Sequence, residues 1–136
     1  MGKSQKASQS SLYRAIESLS VDILNVATKL PRNYAIQQSV AIMVQACNDA
    51  KVACSRALYT HDAETKLQWI DELIVQETAI TSMFKTWFEW QTRYGGDAHY
   101  ISHKQHGFFL TLFVKIGAET GSWRNSVMAN IKGPSI

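Results

Sequence analysis

Three histidines with helical spacing are the residues of this 136-residue chain whose type and pattern could support metal chemistry. His99, His103 and His106 form an H-x3-H-x2-H pattern, which places three imidazoles on one face if the whole segment is helical. However, His99 precedes Ser102, the expected start of a helix, and Asp97 is the one nearby carboxylate that could complete a ligand set. The di-iron four-helix enzymes also need Glu-x-x-His, a motif that this sequence lacks. We therefore expect no metal, no cofactor and no enzymatic activity.

Basic side chains are the second set that could do chemistry, by neutralising phosphates. The net charge is only +3, but it divides into +4 over residues 1–60, −4 over residues 61–97 and +3 over residues 98–136. This distribution predicts basic faces that bind nucleic acid, although an ordinary solvated surface is the alternative. The candidate nucleic-acid-binding residues are Arg14, Lys29, Arg32, Lys51, Arg56, Lys104, Lys115, Arg124 and Lys132.

Four amphipathic segments must position these side chains, because apolar residues recur at i, i+3 and i+4 in each. The expected N-caps are Ser11, Asp62 and Ser102, and proline suits the first turn of the second helix. The pattern predicts an all-α fold, an antiparallel up-down-up-down four-helix bundle over residues 11–131, with a flexible basic tail at 1–10 and a C-terminal tail at 132–136. The predicted helices run from about Ser11 to Leu30, from Pro31 or Arg32 to Tyr59, from Asp62 to Tyr94 and from Ser102 to about Ile131.

Length and composition set further limits on the class of protein. The chain fits one domain, its 46% hydrophobic content excludes intrinsic disorder, and no apolar run approaches the ~20 residues that span a bilayer. Cys47 and Cys54 lie seven residues apart in a helical segment, too far for a disulfide, so we expect two buried thiols in a cytoplasmic protein.

The third and fourth helices each carry a second apolar stripe beside the predicted core stripe. A wide core face is one interpretation, and burial between subunits is the one we favour, which predicts a homo-oligomeric barrel. The predicted partner-interface residues are Met83, Trp87, Trp90 and Tyr94 on the third helix, and Leu110, Val114, Gly117 and Gly121 on the fourth.

Two short motifs carry a resemblance to a known family. Lys29-Leu30-Pro31-Arg32 closes the first helix, and residues 114–123 contain G-x-x-x-G-S-W. Over about residues 12–131 the chain resembles the accessory variability determinant (Avd) proteins of diversity-generating retroelements, four-helix relatives of proteins encoded in ribosomal RNA intervening sequences. The resemblance implies a homopentameric, non-catalytic protein that binds the element's reverse transcriptase and template RNA and supports mutagenic cDNA synthesis.

The same resemblance implies roles for residues beside the two motifs. Arg32 and Arg124 become nucleic-acid contacts, while the Gly117/Gly121/Trp123 run becomes structural. The chain departs from this strongly basic family in its acidic third helix, and we hypothesise that Asp71, Glu72 and Glu77 face a basic polymerase. The alternative is a general RNA-binding or scaffolding four-helix oligomer with no retroelement role.

Overall fold

Four helices form the protein in a computed structural model that describes residues 10–132. No strand occurs in that range, which confirms the all-α class. The predicted tails span residues 1–10 and 132–136, of which residues 1–9 and 133–136, and the side chain of Lys132, lie outside the described residues. The helices are α1 (Ser11–Ala27), α2 (Tyr34–Tyr59), α3 (Ala63–Tyr94) and α4 (His103–Lys132).

Local capping explains most of the helix ends. Asp62 caps α3 as predicted, since its carboxylate accepts from the Thr65 N–H at 2.9 Å. Ser102 caps α4 in a reciprocal capping box with Gln105, the two bonds measuring 3.0 and 3.1 Å. The predicted cap Ser11 is wrong by one residue, because the Ser10 hydroxyl accepts from the Tyr13 N–H.

The predicted junction between the first two helices is also wrong. The first helix ends at Ala27 rather than about Leu30, and the next begins at Tyr34 rather than Pro31 or Arg32. Bonds from Lys29 N to Val26 O and from Leu30 N to Ala27 O tighten the end of α1 into a turn. Asn33 then supplies the cap of α2.

A helical bundle results, because α1 packs on α2, α2 on α3, α3 on α4, and α4 on α1. Its interior holds one fully buried phenylalanine, Phe84, among aliphatic side chains such as Ile16, Met43 and Leu73. The predicted burial of Cys47 and Cys54 is confirmed. None of the helices in residues 10–132 is both long and apolar enough to cross a membrane.

Trp87 belongs to this interior, so its assignment to a subunit interface is wrong. The side chain is only 4% exposed, and its indole Nε1 donates to the Ser39 Oγ on α2 at 2.8 Å. That hydroxyl also donates to the Ile36 carbonyl at 2.6 Å. The bond satisfies the polar end of a ring whose apolar body fills the core.

Ser39→Ala is expected to lower the free energy of unfolding by about 1 kcal/mol, because the Trp87 N–H loses its acceptor. The measurement is urea denaturation of Ser39→Ala, Trp87→Phe and the double variant. The Trp87→Phe variant has no indole N–H that needs Ser39 as an acceptor. Ser39→Ala should therefore lower the free energy of unfolding much less in that background. Equal costs in both backgrounds would contradict the assignment.

Candidate nucleic-acid interface

A groove between α1 and α2 gathers several of the predicted basic residues. At one end lies a pocket of about 300 Å³. Its walls combine an aromatic ring, two basic side chains, two uncharged polar groups and one apolar group. The lining residues are Tyr13 from α1, and Asn48, Lys51, Val52, Ser55 and Arg56 from α2.

The groove continues from that pocket toward the α1–α2 junction. Asn48 and Lys51 also line a neighbouring pocket of about 340 Å³, whose walls include the exposed apolar residues Val21, Leu24 and Val44. Leu24 in turn lines a third pocket of about 190 Å³, which extends to Arg32. The shared lining residues make these three pockets adjoin one another along the contact between the two helices, and the row of pockets is here called the α1–α2 groove.

Charges along the α1–α2 groove are mostly positive. Lys51, Arg56 and Arg32 line it, while Arg14 and Lys29 are exposed near the two ends of α1. Two acidic side chains lie beside it: Glu17 is exposed one turn beyond Tyr13 on α1, and half-buried Asp49 on α2 accepts from Gln45, which lines the groove. The groove therefore offers a surface of net positive charge that could bind phosphates.

At the pocket end, neighbouring groups order the Arg56 side chain and keep the Tyr13 phenol protonated. The Arg56 guanidinium lies 4.8 Å from the centroid of the Trp69 ring on α3, a cation–π contact that orders the side chain. Burial raises the pKa of the Tyr13 phenol, and the negative charge of Glu17 raises it further. Tyr13 therefore remains an uncharged aromatic surface with a hydroxyl group at neutral pH.

The other predicted nucleic-acid residues lie on α4, outside the α1–α2 groove. Lys104 and Lys115 are exposed. Arg124 is bound to Asp71 of α3, with 2.7 Å between Nε and Oδ1. Because the Arg124 side chain is 36% exposed, it keeps a surface toward solvent while its carboxylate partner offsets its charge.

A second groove, here the α3–α4 groove, contains four of the predicted partner-interface residues. It has a volume of about 900 Å³, and Trp90, Tyr94, Gly117 and Gly121 line it. At both glycines, no atom beyond the adjoining residues and the backbone of α4 itself lies within 4 Å of the position that a Cβ would take, so intramolecular packing does not demand glycine there. The remaining predicted interface residues are half-buried Met83 and Leu110, and Val114, which is 73% exposed.

One acidic residue of the α3–α4 groove has an unusual environment. Burial raises the pKa of Glu77 to about 7. The Oε2 atom lies 2.6 Å from Oγ1 of Thr120, and that hydroxyl lies 3.0 Å from the Ile116 carbonyl oxygen. The Thr120 hydroxyl is the donor toward both oxygens, and because it carries a single proton the Glu77 carboxyl and the Ile116 carbonyl share that donor.

The three histidines adopt separate environments at the start of α4. His99 is exposed in the loop, whereas the His106 ring stacks on Phe88 with 3.8 Å between centroids, and His103 meets Phe88 edge-on at 5.9 Å. Among residues 10–132, no group of three His, Cys, Asp or Glu side chains is arranged to hold a metal ion. The contacts of His103 and His106 are aromatic packing between α3 and α4.

Sequence reasoning missed Tyr13, Asn48, Val52 and Ser55, which complete the pocket with Lys51 and Arg56. The one local signal was Tyr13 preceding Arg14, an aromatic residue beside a basic one. The rest of the pocket depends on the pairing of α1 with α2. In comparisons with known proteins, no protein-family model matches the chain, and no curated protein or solved structure matches it significantly.

Proposed function

We propose that this protein is a non-catalytic accessory subunit of a diversity-generating retroelement, which binds the reverse transcriptase and the template RNA and supports mutagenic cDNA synthesis. The α1–α2 groove is the observation that carries the RNA-binding part of the proposal. It brings Arg32, Lys51 and Arg56 to one surface although they are distributed over 25 residues of sequence. The resemblance of the two short motifs supports the retroelement part.

The proposal includes an antiparallel bundle assembled as a homopentameric barrel in the cytoplasm. Pairs of contacts support the antiparallel order. Near one end of the α2–α3 pair, Lys66 Nζ donates to the Ala57 carbonyl, and near the other the Trp87 indole donates to Ser39. The openness of the α3–α4 groove beside Gly117 supports burial of that groove between subunits.

The reverse-transcriptase contact needs a different acidic surface from the one that the sequence suggested. Asp71 is bound to Arg124, and Glu77 is half-buried against Thr120, so both already make contacts within the protomer. Glu64, in the first turn of α3, is exposed. We therefore place the polymerase-facing acidic surface at the start of α3.

The test of RNA binding compares two double variants that remove the same charge. Lys51→Gln/Arg56→Gln should weaken binding of template RNA on the order of ten-fold at about 0.1 M salt, because two phosphate contacts and their counterion release are lost. The salt dependence of log K should become shallower by about 1.5. Lys104→Gln/Lys115→Gln, on α4, is the matched control and should retain more of the affinity.

Fluorescence anisotropy with labelled RNA measures both the affinity and its salt dependence. Co-purification with the reverse transcriptase of a neighbouring gene tests binding of the second proposed partner, the polymerase. Equal losses in the two double variants would show that net charge, rather than the groove, determines affinity. RNA binding without any association with a reverse transcriptase would support the general RNA-binding alternative.

A further inference from the structure

The pocket at the Tyr13 end of the α1–α2 groove differs from the rest of the basic surface because it is concave and chemically mixed. Surface lysines alone bind phosphates without distinguishing one nucleic acid from another. In this pocket two basic side chains border four groups of other chemistry. The basic residues are Lys51 and Arg56, and the other groups are the phenol ring of Tyr13, the isopropyl group of Val52, the amide of Asn48 and the hydroxyl of Ser55. Its volume of about 300 Å³ lies at the lower end of the range for small-ligand sites.

These groups match the parts of one nucleotide. Tyr13 and Val52 offer aromatic and apolar surface on which a base can stack, and every base has a face that can do so. The amide of Asn48 and the hydroxyl of Ser55 can bond to the edge of a base or to a ribose hydroxyl. Lys51 and Arg56 supply cations for the adjoining phosphates.

We infer that this pocket receives one unpaired nucleotide, so that the α1–α2 groove binds single-stranded rather than double-stranded RNA. In an A-form duplex the bases are stacked inside the helix, and a protein reaches mainly phosphates and 2′-hydroxyls. A base can therefore enter the pocket only where the strand is unpaired. This inference rests on the proposed RNA-binding function and specifies which form of RNA the groove takes.

The continuity of the groove gives the strand a path. From the pocket, the next depression shares Lys51 and Asn48, and the one after it ends at Arg32. The intervening section exposes Val21, Leu24 and Val44, apolar side chains that can contact further bases. Alternation of basic and apolar surface along one groove is typical of sites that track a single strand.

The test uses an oligouridine of about ten nucleotides, within the ~4–16 that small single-strand-binding folds cover, and an adenine–uracil duplex of equal length. Wild-type protein should bind the single strand more tightly than the duplex. Tyr13→Leu should weaken oligouridine binding about ten-fold, because an aliphatic side chain lacks the face for stacking. Tyr13→Phe should bind as wild type does.

Two controls separate stacking from folding and from general loss of aromatic surface. Tyr13 packs on the core, so leucine is chosen to retain apolar contact there, and urea denaturation checks that the variant is folded. Phe108→Leu removes an aromatic ring that is 55% exposed on α4 and should leave binding unchanged. Thiouridine crosslinks should map to the peptides that contain Tyr13 or Val52.

Different failures overturn different proposals. If folded Tyr13→Leu binds oligouridine as tightly as wild type, or if the duplex binds as well as the single strand, the nucleotide pocket is wrong. If Lys51→Gln/Arg56→Gln still weakens template binding in that case, the RNA-binding groove stands without it. If the wild-type protein binds none of the three RNAs, both proposals are wrong.

Discussion

Gln91→Leu is expected to lower the free energy of unfolding by about 4 kcal/mol, since it leaves two buried backbone groups without partners at ~1–3 kcal/mol each. The Gln91 Nε2 donates to the Ile101 carbonyl at 2.8 Å, and the Ile101 N–H donates to the Gln91 Oε1 at 2.7 Å. Both residues are buried. Because Ile101 precedes α4, no helix supplies these two bonds, and the glutamine amide closes the α3–α4 connection instead.

The measurement is urea denaturation followed by far-ultraviolet circular dichroism. Gln68→Leu, an exposed position on the same helix, is the matched control and should change stability by less than ~0.5 kcal/mol. Gln91→Glu separates the two bonds, because an ionised carboxylate still accepts from the Ile101 N–H but cannot donate to its carbonyl. A Gln91→Leu variant as stable as wild type would mean that the α3–α4 connection does not depend on this amide.

The Gln91–Ile101 pair, compared with the helix caps, also shows which contacts can be predicted from the sequence and which cannot. Asp62 and Ser102 were predictable because a cap bonds the backbone three residues away, within the same local segment. Gln91 bonds a loop residue ten positions away, and its side chain looks like any polar residue on a helix. Periodicity identifies the apolar face of a helix, but it does not identify a polar residue that the core requires.

Trp87 illustrates the same limit in the opposite direction. The helical spacing of Trp87, Trp90 and Tyr94 predicts a second apolar stripe on the third helix that a partner could cover. Whether Trp87 faces a neighbouring subunit or α2 depends on how far apart α2 and α3 lie. Ser39 on α2, whose hydroxyl accepts from the Trp87 indole, is 48 residues away in the sequence. Two other members, Trp90 and Tyr94, do line the α3–α4 groove, so the stripe is divided between core and surface.

Glu77→Gln is expected to stabilise the protein above pH 7 and to leave stability nearly unchanged near pH 4. The carboxyl has an ordinary pKa of 4.5 and a folded-state pKa of about 7, raised by burial and only partly opposed by the bond from Thr120. Below pH 4.5 the folded and unfolded states both keep the proton. Between pH 4.5 and 7 the unfolded state loses it while the folded state retains it, so stability falls as the pH rises.

The full shift corresponds to about 3 kcal/mol, and partial access to solvent in the α3–α4 groove reduces the expected gain to about 2 kcal/mol. Glutamine removes the titration but can still accept a hydrogen bond from the Thr120 hydroxyl, so the variant isolates charge from hydrogen bonding.

Urea denaturation across pH 4 to 8 measures the difference in stability between Glu77→Gln and wild type. Glu64→Gln, at an exposed position of α3, reports the effect of net charge alone. If Glu77→Gln matched wild type at every pH, burial of this carboxylate would have no energetic cost. If a second subunit covered the α3–α4 groove, Glu77 would be buried further, so the gain should increase with protein concentration as the oligomer forms.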